Sequence, residues 1–351
     1  MKSELYFTNA VEEEVVRLYL DGQYDRCFVL CDENSAHCAS SLLTTPSLEG
    51  VYPITIGVGD DCKNLDALSH VWQELSSNGA TRKSLLINVG GGVVSDLGGF
   101  AAATFKRGID FINIPTTLLG AVDAAVGGKT GINFAGLKNE VGAFCEPRAV
   151  IVATRFYATL PREELLSGYA EMLKHGIIEG QAHYDQLLRY DITQYRAETL
   201  LPLLQQSVGV KARIVAADFR ESGLRKMLNL GHTVAHAFES HAMHRGQTLS
   251  HGYAVAWGLV CALILSHRLL SFPSQVIYDL ARYVEQYYGA YAITCDDYDE
   301  LIGYMRHDKK NENDKIFFSL MKNVGVCGGT QAVDEEEVKI SLDFYRDLFH
   351  L

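Results

Sequence analysis

Residues 84–146 read SLLINVGGGVVSDLGGFAAATFKRGIDFINIPTTLLGAVDAAVGGKTGINFAGLKNEVGAFCE. Ser84 to Val89 is a short apolar run of the kind that forms a buried strand, and Gly90, Gly91 and Gly92 follow at once. From Asp96 a stretch of small residues predicts a helix, near 96–105, that packs close to a sheet. Strand, glycine turn and helix together cradle a phosphate: the glycines let backbone N–H groups approach the anion, and the helix N-terminus adds its dipole. Gly90-x-Gly92-x-x-Ser95 holds two of the three glycines of the dinucleotide fingerprint, so alone it fits an ordinary tight turn equally well. Gly128-Lys129-Thr130 imitates the end of a P-loop, but the required glycine five positions earlier is Asp123, which excludes a nucleoside triphosphatase of that type.

Working outward, strands are expected at Arg26–Cys31, Val51–Ile56, 109–114 and Ala149–Ala153. Helical spacing appears at Leu65, Leu68, Val71, Trp72 and Leu75, and Asn9 with Glu12 resembles a capping box opening a helix through Val15, Val16 and Leu20. Alternating strands and helices predict an α/β class with a Rossmann-like, mainly parallel sheet. Its ligand site is expected beyond the carboxyl ends of the strands, at Asp32, Gly90–Gly92 and Thr116-Thr117. After about residue 155 the pattern turns helical, near 161–176, 202–217, 228–243, 251–269, 273–288 and 334–349, with one late strand at Ile316–Met321. Two domains are expected, 1–155 for a nucleotide and 156–351 for a metal and substrate.

Composition narrows the function. Among 351 residues, 48% are hydrophobic and 21% charged, an ordinary globular balance. A net charge of −12 argues against nonspecific nucleic-acid binding and makes the basic residues inside motifs more informative. The eight cysteines include no C-x-x-C pair, and no leader-like stretch opens the sequence, so a reducing cytoplasm is the expected compartment. The longest apolar run, Ala254–Leu265, is too short to span a bilayer and reads as a core helix.

Five histidines fall within twenty residues: His232, His236, His241, His244 and His251. His232 and His236, four apart, share one helical face, and spacing alone selects them as a ligand pair for zinc or cobalt, with Glu171 as the carboxylate. Glu171 fits an ion pair with Lys174 or His175 just as well. His241 and His244 read as surface residues.

GGGVVSDLGGF, FKRG, IPTTLLGAVDAAVGGKTGIN and GLKNEVGAF, continuing through GYAEMLKHG, GLRKMLNLGHTVAHAFE, HGYAVAWGL and HDKKN, resemble the 3-dehydroquinate synthase family of sugar phosphate cyclases over roughly residues 25–330. The resemblance implies a metal bound by Glu171, His232 and His251, so that His236 contacts phosphate instead. It implies NAD held by Asp32, Asn34, Asp60, Lys63, Gly91, Gly92, Val93, Asp96, Thr116, Thr117 and Lys138. The implied substrate, 3-deoxy-D-arabino-heptulosonate 7-phosphate, has its phosphate held by Lys129, Asn139, His236 and a lysine of the Lys309-Lys310 pair, with Arg107 reaching in from a neighbouring subunit of a homodimer. Lys211, Arg225 and Asn229 hold the carboxylate end, and Asp123 and Lys174 lie near the hydroxyls at the metal. Two departures stand out: Tyr253 where the family has H-G-E, and Asp60 where it has glutamate. The competing readings are another sugar phosphate cyclase, a metal-dependent dehydrogenase of the glycerol dehydrogenase type that needs no phosphate pocket, and a nucleotide-binding protein without catalysis.

Overall fold

A computed structural model describes residues 3–48, 50–306 and 315–351. The chain divides into two compact units, Met1–Pro161 with Arg196–Leu201, and Arg162–Tyr195 with Pro202–Leu351.

The first unit is built from β1 (Glu4–Phe7), α1 (Val11–Asp21), β2 (Arg26–Asp32), α2 (Ala36–Leu43), β3 (Tyr52–Ile56), α3 (Leu65–Ser77), β4 (Ser84–Gly90), α4 (Gly92–Thr104), β5 (Asp110–Pro115), β6 (Lys129–Phe134), β7 (Leu137–Phe144) and β8 (Ala149–Val152). Six strands form a sheet in the order β1-β8-β5-β4-β2-β3, every pairing parallel. All seven residues of β4 are buried, as expected of a parallel strand covered on both faces. Phe28, Leu30, Leu86, Val94, Leu97 and Phe111 join strands and helices in one core. The chain runs outward from β2 to β3 and then returns to place β4 on the other side of β2. The carboxyl ends of β2 and β4 therefore flank a topological switch point, where open α/β sheets bind ligands.

Helix α4 begins at Gly92, four residues before the small-residue stretch at Asp96, because the glycine turn leads straight into it. A Cβ at Gly98 would stand 2.0 Å from Asn88 Oδ1, and one at Gly99 2.6 Å from Thr130 Cγ2. The helix lies on the sheet at a distance only glycine allows. Asn9 does not cap α1; its Oδ1 accepts from the Arg155 N–H at 3.0 Å, and Glu12 pairs with Arg155. The Asn–Glu pattern serves a contact with a distant segment instead of the helix end. Lys129, Lys138 and Asn139 lie on the antiparallel β6–β7 hairpin. Gly128-Lys129-Thr130 thus leads into a strand and not into a P-loop helix.

The second unit contains α5 (Arg162–Glu179), α6 (Gln181–Arg189), α7 (Ala197–Ala217, from Pro202 onward), α8 (His232–His244), α9 (His251–Leu270), α10 (Ser274–Tyr288), α11 (Tyr298–Arg306), β9 (Ile316–Asn323), β10 (Val326–Val333) and α12 (Glu335–Leu348). The late strand β9 has an antiparallel partner in β10, whose Cys-Gly-Gly-Thr run masks its strand character. Helix α9 is long and apolar enough to cross a membrane, yet most of it is buried within this unit. Fourteen of its residues are buried on all sides, which makes it the central core helix.

Candidate nucleotide and metal sites

In the first unit the glycine turn is tightly fitted. A Cβ at Gly91 would meet Thr117 Cγ2 at 3.3 Å, one at Gly92 would meet Ala124 Cβ at 3.3 Å, and Thr116 N–H donates to the Gly90 carbonyl at 3.0 Å. With Gly92 as the first residue of α4, directly after β4, the backbone N–H groups of a helix start stand at the end of the strand, the arrangement that holds a phosphate. Asp32 closes β2 and accepts from the N–H and the hydroxyl of Ser35, both at 2.7 Å, ordering the turn that contains Asn34. Val93 follows Gly92 on α4, half-buried against the core.

Lys63 is the unit's one buried lysine among the described residues, and it is knitted to three segments. Its ammonium pairs with Asp96 Oδ2 at 2.5 Å and donates to Asn139 Oδ1, while its carbonyl accepts from Asn133 N–H at 2.7 Å. Lys138 Nζ lies 3.3 Å from Asp60 Oδ2. The structure therefore brings Asp60, Lys63, Asp96, Lys138 and Asn139 together. Asn133, which the sequence reading missed, also belongs there: its amide donates to the Asp60 carbonyl at 3.0 Å and its Oδ1 accepts from Asn139 N–H at 2.9 Å. That second bond holds Asn139 at φ 52°, a left-handed conformation asparagine tolerates. Asp123 sits in the wide helical turn Gly120–Ala124, and Lys129, at the start of β6, is exposed. Arg107 is exposed and left-handed, with φ 71°.

In the second unit three helices meet at one point. Glu171 on α5, His232 at the start of α8 and His251 at the start of α9 each offer a ligand atom within 4.8 Å of the other two. His232 Nε2 lies 3.3 Å from Glu171 Oε1, and His251 Nε2 lies 3.6 Å from it. Three donors bound tetrahedrally at zinc distances stand about 3.3–3.4 Å apart, so these separations fit one small divalent ion. Glu171 is completely buried, and neither carboxylate oxygen accepts a hydrogen bond of regular geometry. Lys174 pairs with Oε2, so Oε1, faced by the two imidazole nitrogens, is the buried acceptor that a further cation would complete.

Glycines make the convergence possible. A Cβ at Gly252 would lie 2.1 Å from the Ser167 carbonyl oxygen, and one at Gly258 2.1 Å from that of Gly231. Helix α9 thus touches α5 and the start of α8 backbone to backbone. Gly231 itself has φ 81°, the left-handed turn that starts α8 with His232. Each histidine presents Nε2 inward while Nδ1 faces an acceptor: the Leu230 carbonyl at 3.2 Å for His232, and Glu239 Oε1 at 3.5 Å for His251. Such outer contacts select the tautomer that leaves Nε2 as a ligand.

The electrostatics are those of a tight charge cluster. Burial works against the ionised form of Glu171, but the adjacent Lys174 ammonium and then His232 hold its carboxyl well below the usual range. Lys174, three residues along α5 and equally buried, forms the ion pair expected from helical spacing. Burial and Lys174 press His232 down to about 4, keeping it neutral. For His251 burial also pulls downward, but Glu171 and Glu239 outweigh it and raise the imidazole to about 10.

His236, one turn after His232, stacks near both histidines, with ring centroids 5.6 Å from His232 and 6.3 Å from His251. Lys211 and Arg225 are buried cations. Arg225 donates from Nη1 to the Phe219 carbonyl at 2.6 Å, and Asn229 donates to Glu221 at 2.6 Å. Asp218 organises that loop by accepting from the N–H groups of Ser222, Gly223 and Arg225 at 2.9, 2.7 and 3.0 Å. These bonds hold its carboxyl far below the usual range. Lys309 and Lys310 lie outside the described residues. His241 is not a surface residue: it is completely buried where α8 meets α11, with Nδ1 2.8 Å from the Tyr291 hydroxyl. His244 is exposed and pairs with Glu300 at 2.8 Å. Tyr253 packs edge-on against Tyr288 and Trp257, with centroids at 5.1 and 6.0 Å, inside an aromatic cluster.

A parallel sheet with a glycine turn at its switch point, and a helical unit where two histidines and a carboxylate converge, make up a fold found in solved sugar phosphate cyclases. Among solved structures the chain is similar to a 2-deoxy-scyllo-inosose synthase complexed with carbaglucose-6-phosphate, NAD+ and Co2+, with a TM-score of 0.85 at 23% identity over 98% of this chain and 96% of that one. It is also similar to a 2-epi-5-epi-valiolone synthase from Streptomyces hygroscopicus with NAD+ and Zn2+ bound, with a TM-score of 0.84 at 20% identity over 99% and 97%. The particular family is set by sequence. The 3-dehydroquinate synthase N-terminal family model matches residues 53–167, and the C-terminal one matches residues 168–311. A 3-dehydroquinate synthase of Parabacteroides distasonis is 48% identical over 328 residues, 93% of each chain. The chain belongs to the 3-dehydroquinate synthase family, whose members are enzymes.

Proposed function

We infer that the chain makes 3-dehydroquinate and phosphate from 3-deoxy-D-arabino-heptulosonate 7-phosphate, a step of the shikimate pathway, with NAD and zinc or cobalt as cofactors. The observation that carries the reading at residue level is the convergence of Glu171, His232 and His251 at separations that suit one divalent ion. When bound, NAD supplies a temporary hydride acceptor and the metal a Lewis acid that eases loss of a hydroxyl proton.

Glu171, His232 and His251 would hold the metal. Asp32, Asn34, Asp60, Lys63, Gly91, Gly92, Val93, Asp96, Thr116, Thr117 and Lys138 would hold the nucleotide, its phosphates on the Gly91–Gly92 turn. Lys129, Asn139, His236 and Arg107, with Lys309 or Lys310, bind the substrate phosphate and stabilise the charge it carries away on elimination. Lys211, Arg225 and Asn229 fix the carboxylate end. The Asp218 loop supports this role by holding the Arg225 backbone in place before substrate arrives. Lys174 orients substrate hydroxyls and, beside Glu171, limits the negative charge of the centre; Asp123 takes part at the same hydroxyls. The first unit, bounded near residue 155, serves the nucleotide, and the second serves metal and substrate.

Two further points belong to this reading. A cytoplasmic location is supported by eight cysteines that are all free thiols. A homodimer is supported by the exposed apolar residues Phe134, Leu137, Val141 and Phe144 on the β6–β7 hairpin. The test is incubation of metal-loaded protein with catalytic NAD+ and 3-deoxy-D-arabino-heptulosonate 7-phosphate. Phosphate and 3-dehydroquinate are expected in equal amounts without net NADH. Neither product, with NAD+ and metal verified as bound, overturns the assignment. Net NADH from a simple polyol points to the dehydrogenase reading.

A further inference from the structure

We propose that Glu239 is a positioning residue that orients His251 as a metal ligand, so that α8 supplies one ligand and aims another. The inference rests on the metal site proposed above. His251 stands at the first position of α9, where the backbone fixes the Cβ but leaves the ring free to turn about its side-chain bonds. Two carboxylates bracket the ring: Glu171 Oε1 lies 3.6 Å from Nε2, and Glu239 Oε1 lies 3.5 Å from Nδ1. A proton on Nδ1 facing Glu239 leaves the Nε2 lone pair pointing at Glu171 and the centre. Rotation of the ring by half a turn would put carbon atoms where Nδ1 and Nε2 now stand and lose both contacts.

Position 239 is seven residues after His232 on α8, hence on the same helical face as His232 and His236. Glu239 has only 18% of its side chain exposed, so the contact is sheltered from solvent. His232 has the corresponding support from its own turn, the Leu230 carbonyl. For His251 the near neighbour in sequence cannot provide it, because Tyr253 is packed against Tyr288 and Trp257. The carboxylate that the centre needs outside its ligands comes from another helix.

The test is binding of Co2+ to wild type, E239A, E239Q and E171Q, by competition with a chelator and by the visible spectrum of the bound ion. E239A is expected to bind roughly 10–100-fold more weakly, with a changed cobalt spectrum. E239Q, which keeps an acceptor oxygen, should recover most of the affinity and the wild-type spectrum, and E239A should keep the metal-free thermal stability of wild type, which a merely structural role would not allow. Wild-type affinity and spectrum in E239A, with E171Q failing to bind, would overturn the role of Glu239 and leave the metal site standing. Equal binding by wild type and E171Q would overturn the metal site itself. A loss in E239A matched by an equal fall in thermal stability without metal, both restored in E239Q with the cobalt spectrum of E239A unchanged, would make Glu239 a packing residue and overturn the inference.

Discussion

Gly252 sets the dimensions of the proposed metal centre. The atoms a Cβ would strike, Ser167 O at 2.1 Å and Ser167 Cα at 2.3 Å, are backbone and cannot swing aside. Gly252→Ala is therefore expected to push α9 away from α5 and carry His251 from Glu171. Overpacking of this kind costs about 1–3 kcal/mol, and cobalt affinity should fall more than tenfold. Gly303→Ala is the contrast: that helical glycine on α11 has nothing within 4 Å of an added Cβ, and alanine there should stabilise by about 0.5–1 kcal/mol. Thermal melts of the metal-free proteins and cobalt titrations check both, and an unperturbed G252A would show that the helices have slack. Much of the centre was legible in the sequence, but not from spacing, which pairs His232 with His236. His251 could be placed only by resemblance, because the contact that brings it round is a helix crossing invisible in one dimension. Glu239 left a faint signal, its place on the histidine face of α8. His241 left none, since burial against α11 is a tertiary event.

At the scale of elements, the contact between α1 and the segment after β8 replaces the cap that Asn9 and Glu12 suggested. Glu12 has its carboxyl lowered to about 2; burial opposes this, and the Arg155 and Ser41 hydrogen bonds prevail. A depressed carboxyl stabilises the fold above its unfolded value, near 4.5, and that contribution disappears as pH falls from there toward 2. Solvent reaches both side chains, so the shift overstates the energy, which should be on the order of 1 kcal/mol. Glu12→Gln should therefore cost about that much at pH 7 in urea unfolding, with the gap to wild type closing below pH 4.5. A gap that persists unchanged to pH 3 would show that the carboxylate's charge is not its source. The strands of the main sheet were readable because parallel strands covered on both faces are continuous apolar runs. The β6–β7 hairpin was not, because β7 is exposed along nearly its whole length and carries no continuous apolar run.

At the scale of the molecule, the proposed division of labour between two units makes a prediction about stability. An ion that binds the folded second unit and not the unfolded chain adds about 4 kcal/mol when present at a thousand times its dissociation constant. Zinc is expected to slow amide hydrogen exchange in α5, α8 and α9 while leaving β2 and β4 unchanged, and E171Q should abolish the effect. Protection in the first unit instead would place the ion elsewhere. The change in periodicity near residue 155 marks where a strand-and-helix pattern gives way to a helical one, whereas the return of 196–201 to the first unit carries no sequence signal.

Lys63 has a consequence of another kind. Its two side-chain partners, Asp96 and Asn139, lie 33 and 76 residues further along the chain. Contacts so distant in sequence form only after long loops have closed, which is slow. A growing chain that has emerged only as far as β5 possesses the glycine turn but not the cluster around Lys63. Whatever ligand relies on that lysine cannot act as a template early in synthesis; it can only reward a unit that is already finished. Tight binding at Lys63 is thus a readout of completed folding, and a titration of refolding protein with nucleotide would time the last step of assembly.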